Sequence, residues 1–136
     1  MEVLALAGRH KCGKTPTLTV VYKLLRKDGY EPVQNFYRDL KNGDFIDVLE
    51  KEGSHRIGIV TQGDYVITAN SIANHLKVLF SAGCIKAVCA CSTNNPKARL
   101  QVMTYNHFFF NKTISVDLIQ QNILYNSDAQ IIFRAI

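Results

Sequence analysis

The amino-acid sequence predicts an α/β fold: a three-layer sandwich with a mainly parallel sheet, helices on both of its faces and a peripheral antiparallel ribbon. Short apolar runs alternate with segments whose apolar residues recur every three to four positions, the order expected of repeated strand–helix–strand units. Several of those runs are apolar on both sides, as central parallel strands are. Asn42-Gly43 sits between two strand-like runs and marks a tight hairpin, which supplies the ribbon.

Each element follows from its residues. Residues 2–7 form the first strand. Residues 14–27 form a helix with Leu18, Val21, Leu24 and Leu25 on one face, and Gly29 just beyond it stops the helix. The runs Phe36 to Leu40 and Phe45 to Leu49 flank the turn Lys41-Asn42-Gly43-Asp44. Ile57 to Thr61 is a second central strand, and Ile72, Leu76, Leu79 and Phe80 mark a helix over 69–82 that Gly83 closes. Ile85 to Cys91 is a third central strand. Asn94-Asn95-Pro96 opens a short helix over 96–105, with proline at its first position. His107 to Phe110 reads as a buried strand, and from Ser115 the chain reads as helical to its end, with a break at Asn126-Ser127-Asp128. No repeat, linker or low-complexity stretch interrupts 1–136, which predicts one domain.

Composition narrows the class. Of the 136 residues 47% are hydrophobic, which excludes a disordered chain. No apolar stretch approaches the ~18 residues that span a bilayer, and the apolar start ends at Gly8, too short for a secretory leader. Cys84, Cys89 and Cys91 lie in or beside apolar runs without histidine at ligand spacing, so they read as reduced, buried thiols of a cytoplasmic protein. Cys12 lies between Lys11 and Lys14 at a helix start; it reads as a loop residue, with an oxidation-sensitive switch as the alternative. A net charge of +5 and a pI near 9.1 leave a nucleic-acid partner open, yet no run of five basic residues supports one. Much of the charge has other uses: Arg9, Lys11 and Lys14 fall in one loop, and Lys23, Arg26 and Lys27 suit the negative end of the first helix.

The most specific feature is Gly8-Arg9-His10-Lys11-Cys12-Gly13-Lys14-Thr15, a GxxxxGKT sequence that follows a strand and opens a helix. Two glycines free the backbone to turn its N–H groups inward around a phosphate. Lys14 supplies a mobile cation for the β and γ phosphate oxygens, the Thr15 hydroxyl a ligand for Mg²⁺, and the helix its positive end. Pro16 fits the first helical turn, where no N–H is needed. Here the chain resembles the P-loop NTPase superfamily over about its first 30 residues. The resemblance implies a nucleoside triphosphate, ATP or GTP, bound with Mg²⁺ along residues 8–16, with Lys14 in the chemistry.

Further candidates come from the carboxyl ends of the strands, where open α/β sheets bind ligands. P-loop proteins place an acidic residue after an apolar strand near the loop, and Asp64 in Thr61-Gln62-Gly63-Asp64 is the choice for metal and catalysis, three positions later than the simplest pattern. Asp47 or Asp44 comes next should Asp64 not serve. Gln62 reads as a turn residue, with orientation of a water as the alternative. Arg99, following the third strand, is the candidate for stabilising phosphoryl charge, ahead of Lys97, although a true lid needs more chain and a basic residue on a solvated helix face is the favoured reading; Arg38 and Asp39 are weaker candidates for an acceptor site. The four histidines form no recognisable pair. A strand ending in Gly63 then Asp64 faintly resembles the DxxG of GTPases in reversed order, and no guanine-reading NKxD occurs, so ATP is the default. Three functions follow: a small NTPase or nucleotide-gated switch, a small phosphotransferase with an unknown acceptor, and a P-loop protein that binds without turnover.

Overall fold

A computed structural model describes all 136 residues. The chain folds into seven strands and four helices: β1 (Glu2–Gly8), α1 (Lys14–Lys27), β2 (Tyr30–Pro32), β3 (Arg38–Lys41), β4 (Asp44–Lys51), β5 (Arg56–Val60), α2 (Ile72–Ser81), β6 (Cys84–Ser92), α3 (Pro96–Val102), β7 (Asn106–Asn111) and α4 (Leu118–Ala135). The strands form one sheet in the order β2-β4-β5-β6-β1-β7, with β3 also paired to β4.

The sheet is mixed, which corrects the expectation of a mainly parallel one. Three pairings are parallel (β1–β6, β1–β7, β5–β6) and three antiparallel (β2–β4, β3–β4, β4–β5). The reason lies in β4. The hairpin forms at Asn42-Gly43 as its turn residues require, both with positive φ. But Phe45, Ile46, Asp47, Val48 and Leu49 are all buried, so β4 is a full member of the sheet rather than a peripheral ribbon strand. The short β2 was not legible beforehand; Pro32 within it is tolerated because β2 is an edge strand.

Side chains alternate between two apolar clusters, one on each face. Ile72, Leu76 and Leu79 of α2 and Ala98 and Val102 of α3 pack on Val3, Ala5, Ile46, Val48, Cys89 and Cys91. Leu18, Val21 and Leu25 of α1 and Ala129 and Ile132 of α4 pack on Leu4, Leu6, Leu49, Ile57 and Ile59. A Cβ on Gly58 of β5 would lie 2.6 Å from Leu79, so the glycine is what lets α2 approach the strand.

Helix ends differ from expectation where caps decide them. Ser71 caps α2 by accepting from Asn74 N–H, so that helix starts at Ile72 and not near 69. Asp117 caps α4 in the same way. No break occurs at residues 126–128, because Asp128 turns inward to a buried partner instead of capping a new segment. Nor is 107–110 a buried strand: β7 is the other sheet edge, and Phe108 is 58% exposed.

The parallel quartet β5-β6-β1-β7 directs four strand ends to one edge of the sheet. Because β4 runs against β5 with Ile46 opposite Val60, the β3–β4 turn reaches that same edge and sets Asp44 beside Thr61.

Candidate functional site

Beyond β1 the chain reverses through residues 9–13, with positive φ at Lys11 (58°) and Gly13 (101°). Neighbouring strand ends pin the loop: Thr93 N–H donates to Gly8 O at 3.0 Å, Lys112 N–H to Ala7 O at 2.8 Å, and His10 N–H to Asn94 Oδ1 at 2.6 Å. Lys14, on the first turn of α1, is buried beneath the loop, its ammonium donating to Arg9 O at 2.7 Å and Gly8 O at 3.0 Å. A Cβ on Gly8 would lie 2.5 Å from Cys12 Sγ, and one on Gly13 would lie 2.4 Å from the Tyr125 ring. A side chain at Gly8 would displace Cys12 and crowd Lys112, one at Gly13 would displace Tyr125, and the positive φ of Gly13 favours glycine by conformation as well.

The start of α1 differs from the other helix starts. Ser71, Asn95 and Asp117 cap α2, α3 and α4 with side-chain oxygens, whereas α1 begins on Gly13 with no side-chain cap. The amides of Lys11, Gly13, Lys14 and Thr15 take no partner within the protein. Such unbonded N–H groups at a helix start, with a cation beside them, make an anion-binding surface.

Opposite the loop stands a cluster of oxygens. Thr15 Oγ1 donates to Asp44 Oδ1 at 2.8 Å, and Thr61 Oγ1 donates to the same oxygen at 2.9 Å while accepting from Phe45 N–H. Asp64 follows Gly63, whose Cα passes over β6 so closely that a Cβ would meet Ala90 O at 2.2 Å; Ser92 N–H donates to Gly63 O at 2.8 Å. This crossing sets Asp64 Oδ1 3.3 Å from His10 Nδ1, an ion pair when the imidazole is protonated, and the oxygen makes no aligned hydrogen bond. Gln62 is buried, with Oε1 2.9 Å from His75 Nε2, so it is a fixed side chain and not a turn decoration. Burial lowers the pKa of His75 and favours its neutral form.

These groups line one cleft of about 750 Å³, together with His10, Lys11, Asn42 and Tyr125. Of the residues expected to touch phosphate, His10, Lys11, Gly13, Lys14, Thr15 and Pro16 line it. Gly8 lies under the loop, and Arg9 and Cys12 face a cavity of about 80 Å³ on its far side. Arg99 does not line the cleft; its guanidinium sits 4.1 Å from the centroid of Phe109, across α3 and β7. Asp47 is buried on the α1 face, accepting from Tyr22 O–H and Val48 N–H, both at 2.8 Å. Burial pushes its carboxyl above the usual range and, with Asp47 beside it, the Tyr22 hydroxyl up to about 12.

Several residues of the site escaped sequence reasoning. Asp44 read as a turn residue and only as a fallback to Asp64 for the metal, since its closeness to Thr15 depends on β4 running antiparallel to β5. Tyr125 reaches Gly13 because α4 is tied to the end of β7. Lys112 Nζ and Asp128 Oδ2 are 2.7 Å apart and buried, and the same carboxylate accepts from Thr113 N–H and Thr113 O–H, both at 2.9 Å. The one available signal was Asp128 in a helix otherwise poor in charge.

No three His, Cys, Asp or Glu side chains converge on a point that could hold a metal, so an all-protein metal cage is absent. The oxygens of Asp44, Thr15 and Thr61 form one hydrogen-bonded cluster, and Asp64 lines the same cleft. Comparison with family models, curated proteins and solved structures gave no match, so the geometry of the cleft is what any functional reading rests on.

Proposed function

We propose that this chain is a P-loop protein that binds a nucleoside triphosphate, ATP by default, together with Mg²⁺ in the cleft above residues 9–15, and turns it over as a small NTPase or nucleotide-gated switch. One observation carries the reading: the uncapped start of α1 leaves the amides of Lys11, Gly13, Lys14 and Thr15 without partners at the floor of the cleft that Lys14 and Thr15 line. On this reading the fold is the three-layer P-loop type, its parallel quartet carrying helices on both faces and β2, β3 and β4 appended at one side.

The residues divide the work. The free amides and Lys14 hold the phosphates, with the Lys14 ammonium leaving Gly8 O and Arg9 O for them. Thr15 and Asp44 hold Mg²⁺, which neutralises phosphate charge when bound, and Thr61 orients the Asp44 carboxylate. Asp64, faced by His10, is the further carboxylate that would help hold the metal. Gln62, fixed by His75, faces the cleft where an attacking water can be oriented. Phosphotransfer is the second reading, and it would need an anionic acceptor; the groove of about 570 Å³ between the β3 segment and α2 offers Arg38 and Lys77 for one but shares no lining residue with the cleft.

Calorimetry with ATP and Mg²⁺ tests the binding: wild type gives a saturable heat and Lys14→Ala none. Loss of ATP without any acceptor marks an NTPase, and loss only with an acceptor marks a transferase. Absence of heat from both ATP and GTP with wild type overturns the proposal.

A further inference from the structure

β7 and α4 form a face whose chemistry differs from the rest of the molecule. β7 is a sheet edge, Asn106-His107-Phe108-Phe109-Phe110-Asn111, without the lysine, proline or bulge that usually blunts an exposed edge. Beside it, α4 presents Ile119, Ile123, Ser127 and Ile131 at four-residue spacing, all exposed, which is one continuous stripe. Ile131 shares a groove with Phe110, and the Phe108 and Phe110 rings lie 4.9 Å apart, so stripe and strand edge are one surface. Ile114 and Val116 extend it through the β7–α4 connection, Val116 being fully exposed.

The face itself carries little charge, and its cations stand at its borders: Arg134 one turn beyond Ile131, Arg9 and Lys11 beside Ile114, and Arg99 with its guanidinium 4.1 Å from the Phe109 centroid. Between Asn106 and Phe133 the formally charged residues are Lys112, Asp117 and Asp128. Lys112 and Asp128 are buried against each other, and Asp117 caps α4. At roughly 150–200 Å² for a whole side chain of this size, the exposed fractions of Phe108, Ile114, Val116, Ile119, Ile123 and Ile131 amount to about 650 Å², before any β7 backbone is counted. That exceeds the ~300–600 Å² patch of an ordinary monomer and approaches the ~800 Å² that one partner contributes to a stable interface.

We propose that this face is a two-fold homodimer interface in which β7 pairs antiparallel with β7 of a second copy, continuing the sheet across both, and the α4 stripes meet beside it. A second copy is the fitting occupant because the surface matches itself. A strand edge completes its hydrogen bonds with an identical edge, and apolar stripe meets apolar stripe.

Analytical ultracentrifugation of the whole chain between about 1 and 200 μM tests this. Wild type is expected to sediment as a dimer that dissociates on dilution. Phe108→Lys and Ile123→Lys, both at exposed positions, place like charges across the two-fold axis and are expected to weaken association at least a hundredfold, with circular dichroism and the melting midpoint preserved. A wild type that stays monomeric, or a dimer indifferent to both substitutions, overturns the proposal. Hydrogen exchange on wild type needs no variant: alternate β7 amides should slow as concentration rises through the transition, and β7 amides that exchange at the same rate in monomer and dimer also overturn it.

Discussion

At the scale of single residues, two aspartates on one strand have opposite fates within three positions. Asp44 stands at the mouth of β4, bonded to the Thr15 and Thr61 hydroxyls, while Asp47 is buried against Tyr22. Under the proposed chemistry, Asp44→Asn keeps the shape and removes the charge facing the metal. Mg²⁺-dependent ATP turnover should fall by about 10²-fold, with nucleotide binding in the absence of Mg²⁺ little changed. Asp64→Asn should cost less, since Asp64 is farther from Thr15 in the hydrogen-bond scheme; a larger loss at Asp64 than at Asp44 reverses the assignment. For Asp47 the prediction concerns stability. Burial holds its folded pKa above the unfolded value of ~3.9, so the fold favours the neutral acid. That advantage is complete below the unfolded pKa and is lost as pH rises through the folded one. Asp47→Asn is neutral at every pH and escapes the loss, so its urea midpoint relative to wild type should rise between pH 3.5 and pH 7. His75, whose lowered pKa gives the opposite slope, is present in both proteins and cancels from the comparison.

At the scale of elements, α4 is fastened to the site by a buried pair. The side chain of Lys112 has no exposure and that of Asp128 is nearly as closed, and the pair lies beside the loop that Gly8 starts. Asp128→Ala leaves a buried ammonium without its counter-charge, which should cost about 3–5 kcal/mol in chemical denaturation. Replacing both residues by apolar ones of similar size, as in Lys112→Met with Asp128→Leu, should recover most of that, because it removes the desolvation penalty along with the attraction. A double variant no more stable than Asp128→Ala would mean that the carboxylate's bonds to Thr113 matter more than the ion pair. Elements were the most legible part of the sequence. α1 spans the 14–27 that its apolar spacing and flanking glycines predict, and the hairpin turns at Asn42-Gly43. What was not legible depended on partners distant in sequence. The inclusion of β4 in the sheet, the inward turn of Asp128 and the exposure of Phe108 follow from strand order, which local periodicity does not encode.

At the scale of the whole molecule, the candidate site is assembled where strand ends from four separate stretches of chain meet. The loop after β1 brings Lys14 and Thr15, the β3–β4 turn brings Asp44, the end of β5 brings Thr61, Gln62 and Asp64, and α4 brings Tyr125. The sequence identified the first of these because its residues are contiguous, and named Asp64 from the end of an apolar strand with Asp44 only as a fallback; Tyr125 and the pairing of Asp44 with Thr15 came with the topology. Such a site has a thermodynamic signature. A ligand that touches all four stretches binds the native state alone, so it stabilises by RT ln(1 + [L]/Kd), about 2.7 kcal/mol at a hundred times Kd. For a chain of this size each kcal/mol raises the melting midpoint by roughly 3 °C, so saturating ATP with Mg²⁺ should raise it by about 8 °C. Lys14→Ala should abolish the shift. Asp44→Asn should keep the part produced by ATP alone and lose the increment that Mg²⁺ adds, because in the proposed arrangement the metal is what would join the β3–β4 turn to the phosphates. An unchanged Mg²⁺ increment in Asp44→Asn would detach that turn from the site and leave the loop after β5, through Asp64, as the metal's anchor.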